Sequence, residues 1–337
     1  MKVGIIGAGL VTSGSHLPVL VNMPGVSVDW ICDRSAPAAA AVARSYKIGK
    51  TFTDIAACPN VDAVLVATPV GARRSVIPAA LARGWHVFSE KPFALTLEEH
   101  EGYLHEARRH GVQIAVGQVR RYAKPTATAR KLLERQFLGP ILRVGASEGM
   151  RVRATGRGTG WHMTDPAAGG GVLMETGSHL VDQVLYVLGA SSVSLRESSQ
   201  ERHLGLELAS SLVADVRLAG GESVACSIEL SMLDDLCNGV FIEFPNYVLK
   251  VGLFFEESLA LVTRDGTTLC DIATTEGVDN PTKGFVAEWR DFLEQCRTGQ
   301  PSAVDAASVK NTTALIEACY KQAAEAQLAV SAGGAGR

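Results

Sequence analysis

The chain has 337 residues, 47% hydrophobic and 20% charged, with a formal net charge of −3, a profile that fits a globular protein of about two domains. An acidic balance argues against nucleic acid as the main partner, because such proteins present a basic face, and no apolar run reaches the ~18 residues that would suggest a membrane span. Seven cysteines, none at CxxC spacing, and no leader-like segment before the first strand fit reduced thiols in a cytoplasmic protein and argue against a disulfide framework or a metal site.

Residues 2–6 read as a short apolar strand, followed by Gly7-Ala8-Gly9 and a helix. A second strand, 26–32, ends at Asp33-Arg34, and an alanine-rich helix follows over 37–46. The run 61–67, apolar but for Asp62, fits a strand buried on both faces. It leads through Thr68-Pro69-Val70-Gly71 to a helix over 74–83, then a strand over 85–88 and Glu90-Lys91-Pro92. A helix over 96–110, stopped by Gly111, and a strand over 113–116 complete the alternation. Strands alternating with helices predict an α/β, doubly wound parallel sheet over residues 1–118.

After Gln118 the pattern changes. Residues 119–337 predict an α+β domain with a large open, mostly antiparallel sheet. It starts with a helix over 125–136, a strand over 141–150, a glycine- and arginine-rich loop over 151–161 and a helix over 175–188. Strands are expected over 210–218, 222–231, 239–243, 247–251 and 258–263, and closing helices over 284–297 and 306–326. The first part is net +2 and the second net −5.

Gly7-Ala8-Gly9-Leu10-Val11-Thr12 follows a strand and opens a helix, and Asp33 stands 24 residues beyond Gly9 at the end of the next strand. This is the arrangement of a dinucleotide fingerprint. The first glycine makes the turn, the second admits the pyrophosphate, and the acidic residue binds the ribose 2′-hydroxyl. Asp33 favours NAD over NADP; Arg34 beside it could pair with a phosphate or stack on adenine. Lys91 closes a strand in the crevice where such sheets bind ligands, a position equally open to a solvated lysine. Glu175, His179 and Asp182 fall at i, i+4 and i+7, one helix face, where a carboxylate one turn away can tune a histidine acid/base. The same spacing suits a capping glutamate and a core histidine.

These segments together resemble the Gfo/Idh/MocA oxidoreductase family. The resemblance rests on the N-terminal fingerprint, Ala67-Thr68-Pro69, Glu90-Lys91-Pro92, Arg121-Tyr122 and the run from Gly169-Gly170-Gly171 to Glu175, His179 and Asp182. It implies hydride transfer between NAD(P) and the secondary hydroxyl or ketone of a sugar or cyclitol, in a homodimer or homotetramer formed through the sheet. It implies catalytic roles for Lys91, His179 and Glu175. Gly7, Ala8, Gly9, Leu10, Val11, Asp33, Arg34, Ala67, Thr68, Pro69, Arg73, Glu90, Lys91, Gln118 and Trp161 would line the cofactor. Lys91, Arg121, His162, Asp165, Glu175 and His179 would meet substrate. Glu175 stands where the family usually has aspartate, and Arg73 where it has histidine; Arg73 would pair with a cofactor phosphate or be solvated. Arg151, Arg153 and Arg157 fit a nucleotide-sugar phosphate or a solvated loop, whereas Glu148, Asp165 and Asp234-Asp235 would suit an aminosugar or aminocyclitol. A C=C or C=N reductase of the same family and a non-enzymatic NAD(P) sensor are the competing readings.

Overall fold

A computed structural model describes residues 1–151, 169–203, 205–274 and 276–334. The chain divides into two compact units, Met1–Val119 with Asn280–Lys310, and Arg120–Asp279 with Asn311–Arg337. A single division at 118/119 therefore lacks one feature: a late segment returns to the first unit.

The first unit is a six-stranded parallel sheet. Its strands are β1 (Lys2–Ile6), β2 (Ser27–Cys32), β3 (Thr51–Phe52), β4 (Ala63–Val66), β5 (His86–Glu90) and β6 (Ile114–Gly117), in the order β3-β2-β1-β4-β5-β6. All pairings are parallel. The order reverses between β1 and β4, so the crevice beyond their carboxyl ends is the ligand position of such sheets. β4 is buried at every residue, as its unbroken apolar run requires. The helix Leu97–His110 starts where the Thr96 side chain accepts the Glu99 amide and stops at left-handed Gly111, the two end signals of a well-specified helix. Helix Pro281–Thr298 supplies Trp289 and Phe292, both fully buried.

The second unit is built on eight strands: β7 (Arg143–Gly149), β8 (Ala190–His203), β9 (Leu206–Leu218), β10 (Ser223–Ser231), β11 (Gly239–Glu243), β12 (Val248–Val251), β13 (Leu259–Val262) and β14 (Thr268–Asp271), in the order β14-β13-β12-β11-β7-β10-β9-β8. Only the β7–β10 pairing is parallel; the others are antiparallel. Along β10, Val224, Cys226, Ile228 and Leu230 are buried and alternate with Ser223, Ser227 and Glu229. That alternation gives the sheet one apolar face and one open face of small polar residues. β8 has no buried residue.

Candidate active site

The first group of residues sits at the carboxyl ends of β1, β2, β4 and β5. Gly7 has φ +105°, and a Cβ there would stand 2.6 Å from the Ala67 carbonyl oxygen; only glycine combines that turn with that approach. Gly9 faces open space, and Leu10 is 83% exposed beside it. Thr12–His16 form a π-helical turn, a local widening frequent at functional sites. The Thr12 hydroxyl donates to the Gly7 carbonyl at 2.7 Å and is buried, so threonine in the third glycine position pins the loop through its own side chain. The Asp33 carboxylate accepts the Ala8 amide at 2.8 Å and the Ser35 amide at 2.8 Å. Arg34 is exposed. The Thr68 hydroxyl is buried without a hydrogen-bond partner at the switch point. An unobstructed Gly9, an anchored acceptor at Asp33 and an orphaned hydroxyl at Thr68 fit a dinucleotide.

Arg73 is 3% exposed. Its guanidinium donates to the carbonyls of Thr68 at 2.8 Å, and of Glu90 and Pro92. It therefore ties the loop after β4 to the turn after β5 by main-chain contacts. Glu90 is 7% exposed and accepts the Lys91 amide at 3.1 Å. Burial pushes the Glu90 carboxyl up, but the hydrogen bond from His16 and the charges of Lys91 and Arg73 hold it below the usual range. Lys91 is partly exposed, and Gln118 is 2% exposed at the end of β6.

The second group lies in the second unit. Gly171 begins a helical segment, Val172–Glu175, continued after Thr176 by helix Gly177–Leu188. Thr176 keeps helical dihedrals, and the Leu180 amide bonds to the Thr176 carbonyl at 3.1 Å, so Glu175 and His179 remain one turn apart. Both are partly exposed, whereas Val172–Met174 and Leu180–Leu185 are buried. Asp182 is buried: its two oxygens take Arg121 Nε and Nη2 at 2.7 and 2.5 Å, and Thr312 donates at 3.2 Å. Arg121, 3% exposed, also lies over the Tyr186 ring at 4.9 Å.

The glycine run has a packing cause. A Cβ on Gly171 would strike the Glu207 carbonyl and one on Gly170 the Tyr320 hydroxyl. Glu207, 1% exposed, accepts the Gly171 amide at 2.6 Å and the Tyr320 hydroxyl. Burial and then the Glu207 charge push the Tyr320 phenol up. Glu207 and Tyr320, neither of which has a local sequence signal, thus anchor the start of the segment carrying Glu175 and His179. Arg120 pairs with Glu148 through two bonds of 2.6 and 2.8 Å. Arg151 bonds the Leu233 carbonyl at 2.9 Å and, through its amide, Asp235 at 3.1 Å. Trp161, His162 and Asp165, like Arg153 and Arg157, lie outside the described residues. No group of three or more metal-ligating side chains occurs among the described residues, and none of their helices is long and apolar enough to cross a membrane.

Two family models match the chain: an oxidoreductase family, NAD-binding Rossmann fold, over residues 1–118, and the GFO/IDH/MocA C-terminal domain over residues 126–236. D-glucoside 3-dehydrogenase of Escherichia coli is 29% identical over 61% of this chain and 59% of its own length. 1,5-anhydro-D-fructose reductase of Ensifer adhaerens is 30% identical over 60% of this chain and 62% of its own length. The chain thus spans about six tenths of each of these two curated relatives. Among solved structures, aldose-aldose oxidoreductase of Caulobacter crescentus superposes with a TM-score of 0.80 at 20% identity, covering 97% of this chain and 98% of its own.

Proposed function

This chain belongs to the Gfo/Idh/MocA oxidoreductase family, and we propose that it is an NAD-dependent enzyme moving hydride between nicotinamide and a secondary ring hydroxyl or ketone of a sugar or cyclitol. The observation that carries the reading is the pairing of chemistries in one chain: a lysine in the crevice at the end of β5, and a partly exposed histidine one turn after a carboxylate. The names of the relatives, a glucoside dehydrogenase and an anhydrofructose reductase, support a ring carbinol or ketone as the substrate class.

Gly7, Ala8, Gly9, Leu10 and Val11 would hold the pyrophosphate side of the cofactor, Asp33 the ribose hydroxyls, with Arg34 beside the adenosine. Ala67, Thr68, Pro69, Glu90, Lys91, Gln118 and Trp161 would line the remainder. The Asp33 carboxylate repels a 2′-phosphate, which favours NAD. Arg73 would act at the cofactor through the carbonyls it ties together.

When bound, the nicotinamide supplies the acceptor or donor of hydride. His179 takes the proton of the carbinol in the oxidising direction and returns it in the reducing one. Lys91 donates to the substrate oxygen and stabilises its developing negative charge. Glu175 orients His179 or holds a neighbouring hydroxyl, and His162 and Asp165 complete the proposed substrate contacts; Arg121, expected among them, is buried against Asp182 and Tyr186 and acts on the site through the helix it anchors. The open polar face of the second unit's sheet is the surface through which we expect homodimers or homotetramers to form, in a cytoplasmic protein.

Incubation with NAD and, separately, NADP tests the reading, using glucose, myo- and scyllo-inositol, UDP-glucose and UDP-N-acetylglucosamine, with absorbance read at the reduced nicotinamide band. Reduction of NAD by one ring alcohol, lost in Lys91→Met, is the expected result. A Lys91→Met protein that still turns over overturns the catalytic assignment.

A further inference from the structure

Behind Lys91, inside the first unit, lies a buried polar chain. Trp289 Nε1 donates to His16 Nδ1 at 2.9 Å, and His16 Nε2 meets Glu90 Oε1 at 2.7 Å. Glu90 Oε2 accepts the Lys91 amide at 3.1 Å. Trp289 and His16 are fully buried. An indole N–H can only donate, so Nδ1 must accept; Nε2 then carries the hydrogen and donates, and Glu90 is left as a pure acceptor. Two donor-only groups, the Trp289 indole and the Lys91 amide, thus fix the direction of every bond in the chain.

The rings are held as firmly as the bonds. Trp289 stacks on Phe88 at 4.5 Å and 17°, and Phe285 meets the His16 ring edge-on at 5.0 Å. A carboxylate in such apolar surroundings is costly unless it is paired and fully hydrogen-bonded. The same pocket contains a second carboxyl, Glu288, fully buried with neither oxygen hydrogen-bonded. Burial, with the Glu90 charge adding to it, pushes its carboxyl well up, whereas the contacts of Glu90 hold that carboxyl low. The two buried glutamates are thus pushed in opposite directions, and the one held low accepts the amide of Lys91.

We propose that Trp289, His16 and Glu90 form a direction-fixed hydrogen-bond relay that positions Lys91, making His16 and Trp289 positioning residues remote from the chemistry. The inference rests on the reading of Lys91 as the group that meets the substrate oxygen. It explains why a donor-only residue from helix Pro281–Thr298 returns to the first unit against a histidine 273 positions earlier.

The test uses the whole protein and N-hydroxysuccinimide acetate, with acetylation at each lysine followed by mass spectrometry; the other nine lysines report any general loosening. In Trp289→Phe, which keeps a ring and removes the donor, Lys91 should acetylate faster by about threefold or more, as a locally released turn would, with the other lysines unchanged. His16→Leu should do the same. His16→Gln, whose amide offers one acceptor and one donor as the neutral ring does, should return the rate to that of the unaltered protein. An unchanged Lys91 rate in Trp289→Phe, or equal rates in His16→Gln and His16→Leu, overturns the relay. Turnover of the ring-alcohol panel by Lys91→Met is a separate readout: if it survives, the catalytic reading of Lys91 fails while the positioning result stands.

Discussion

Asp182 and Arg121 face each other through two bonds of 2.5 and 2.7 Å in the interior of the second unit, both side chains 3% exposed or less. The residue three positions beyond His179 therefore anchors the helix and is withdrawn from the proposed acid/base pair. Breaking a buried pair leaves one charge uncompensated and costs about 3–5 kcal/mol. Asp182→Ala should lose about that much in a denaturant titration. Arg121→Met combined with Asp182→Leu should recover a large part of it. Equal losses in the single and double variants would contradict the pairing as the source of stability.

His179→Ala should lower turnover by about 10²–10⁴-fold, the range contributed by a positioned proton acceptor. NADH binding, assigned to residues of the first unit, should persist. Binding is read from nicotinamide fluorescence, and a parallel loss of binding and turnover would point to unfolding instead of lost chemistry.

Asp33→Ala removes the acceptor of the Ala8 and Ser35 amides together with the proposed ribose contact. Hydrogen bonds to a charged group contribute about 1.5–3 kcal/mol each. NAD affinity should therefore fall by roughly tenfold to a hundredfold, while NADP, relieved of carboxylate repulsion, should lose less or gain. Titration of both cofactors checks the ratio; an equal loss for the two would remove Asp33 from the discrimination.

His100 gives a pH signature in the first unit. Burial lowers its imidazole to about 4, with the bond to the Ala306 carbonyl at 3.0 Å opposing the shift. An unfolded histidine titrates near ~6.5, so between those values the unfolded chain binds the proton and the folded chain does not. Stability therefore falls as pH drops from about 6.5 to about 4, by up to about 3 kcal/mol. His100→Gln keeps a donor for Ala306 and lacks this titration. The stability difference between the two proteins should shift in favour of the variant by that amount on going from pH 7 to 4; a constant difference would contradict the assignment.

Gly171→Ala places a Cβ against the Glu207 carbonyl. The segment before Glu175 must then move, and turnover should drop by roughly tenfold or more, as misplaced catalytic groups do, with NADH affinity unchanged. Full activity in this variant would show that the Glu207–Tyr320 anchor does not set the position of His179.

Much of this architecture is legible in the chain because local rules suffice. The apolar run at 61–67, the glycines at 7 and 9 and the acid at 33 each announce a strand, a turn and a strand end. β8 carries no such signal. Its sequence is polar and its residues are at least partly exposed, so the alternation that marks a half-buried strand is missing. β14 is short and exposed throughout, and β3 has two residues. The spacing of Glu175 and His179 survives in the helix, and Asp182 follows at the expected interval, but spacing does not reveal burial. Arg73 offered a phosphate partner or solvent; it lies instead among main-chain carbonyls, a partnership that belongs to tertiary structure. Asp234 and Asp235 suggested an aminosugar contact, yet Asp235 accepts the Arg151 amide. His16 and Trp289 meet across 273 positions, and no pattern within either neighbourhood specifies that contact.

Hydride transfer from a ring carbinol is tested most directly by isotope. The protein is incubated with NAD and each ring alcohol deuterated on carbon, then denatured, and the released nicotinamide cofactor is weighed by mass spectrometry. Extraction after denaturation also captures a cofactor that stays bound through its cycle. Reduced cofactor carrying deuterium from one sugar or cyclitol is the expected result. Reduced cofactor without deuterium, or none with any ring alcohol while NADH still binds, would contradict it.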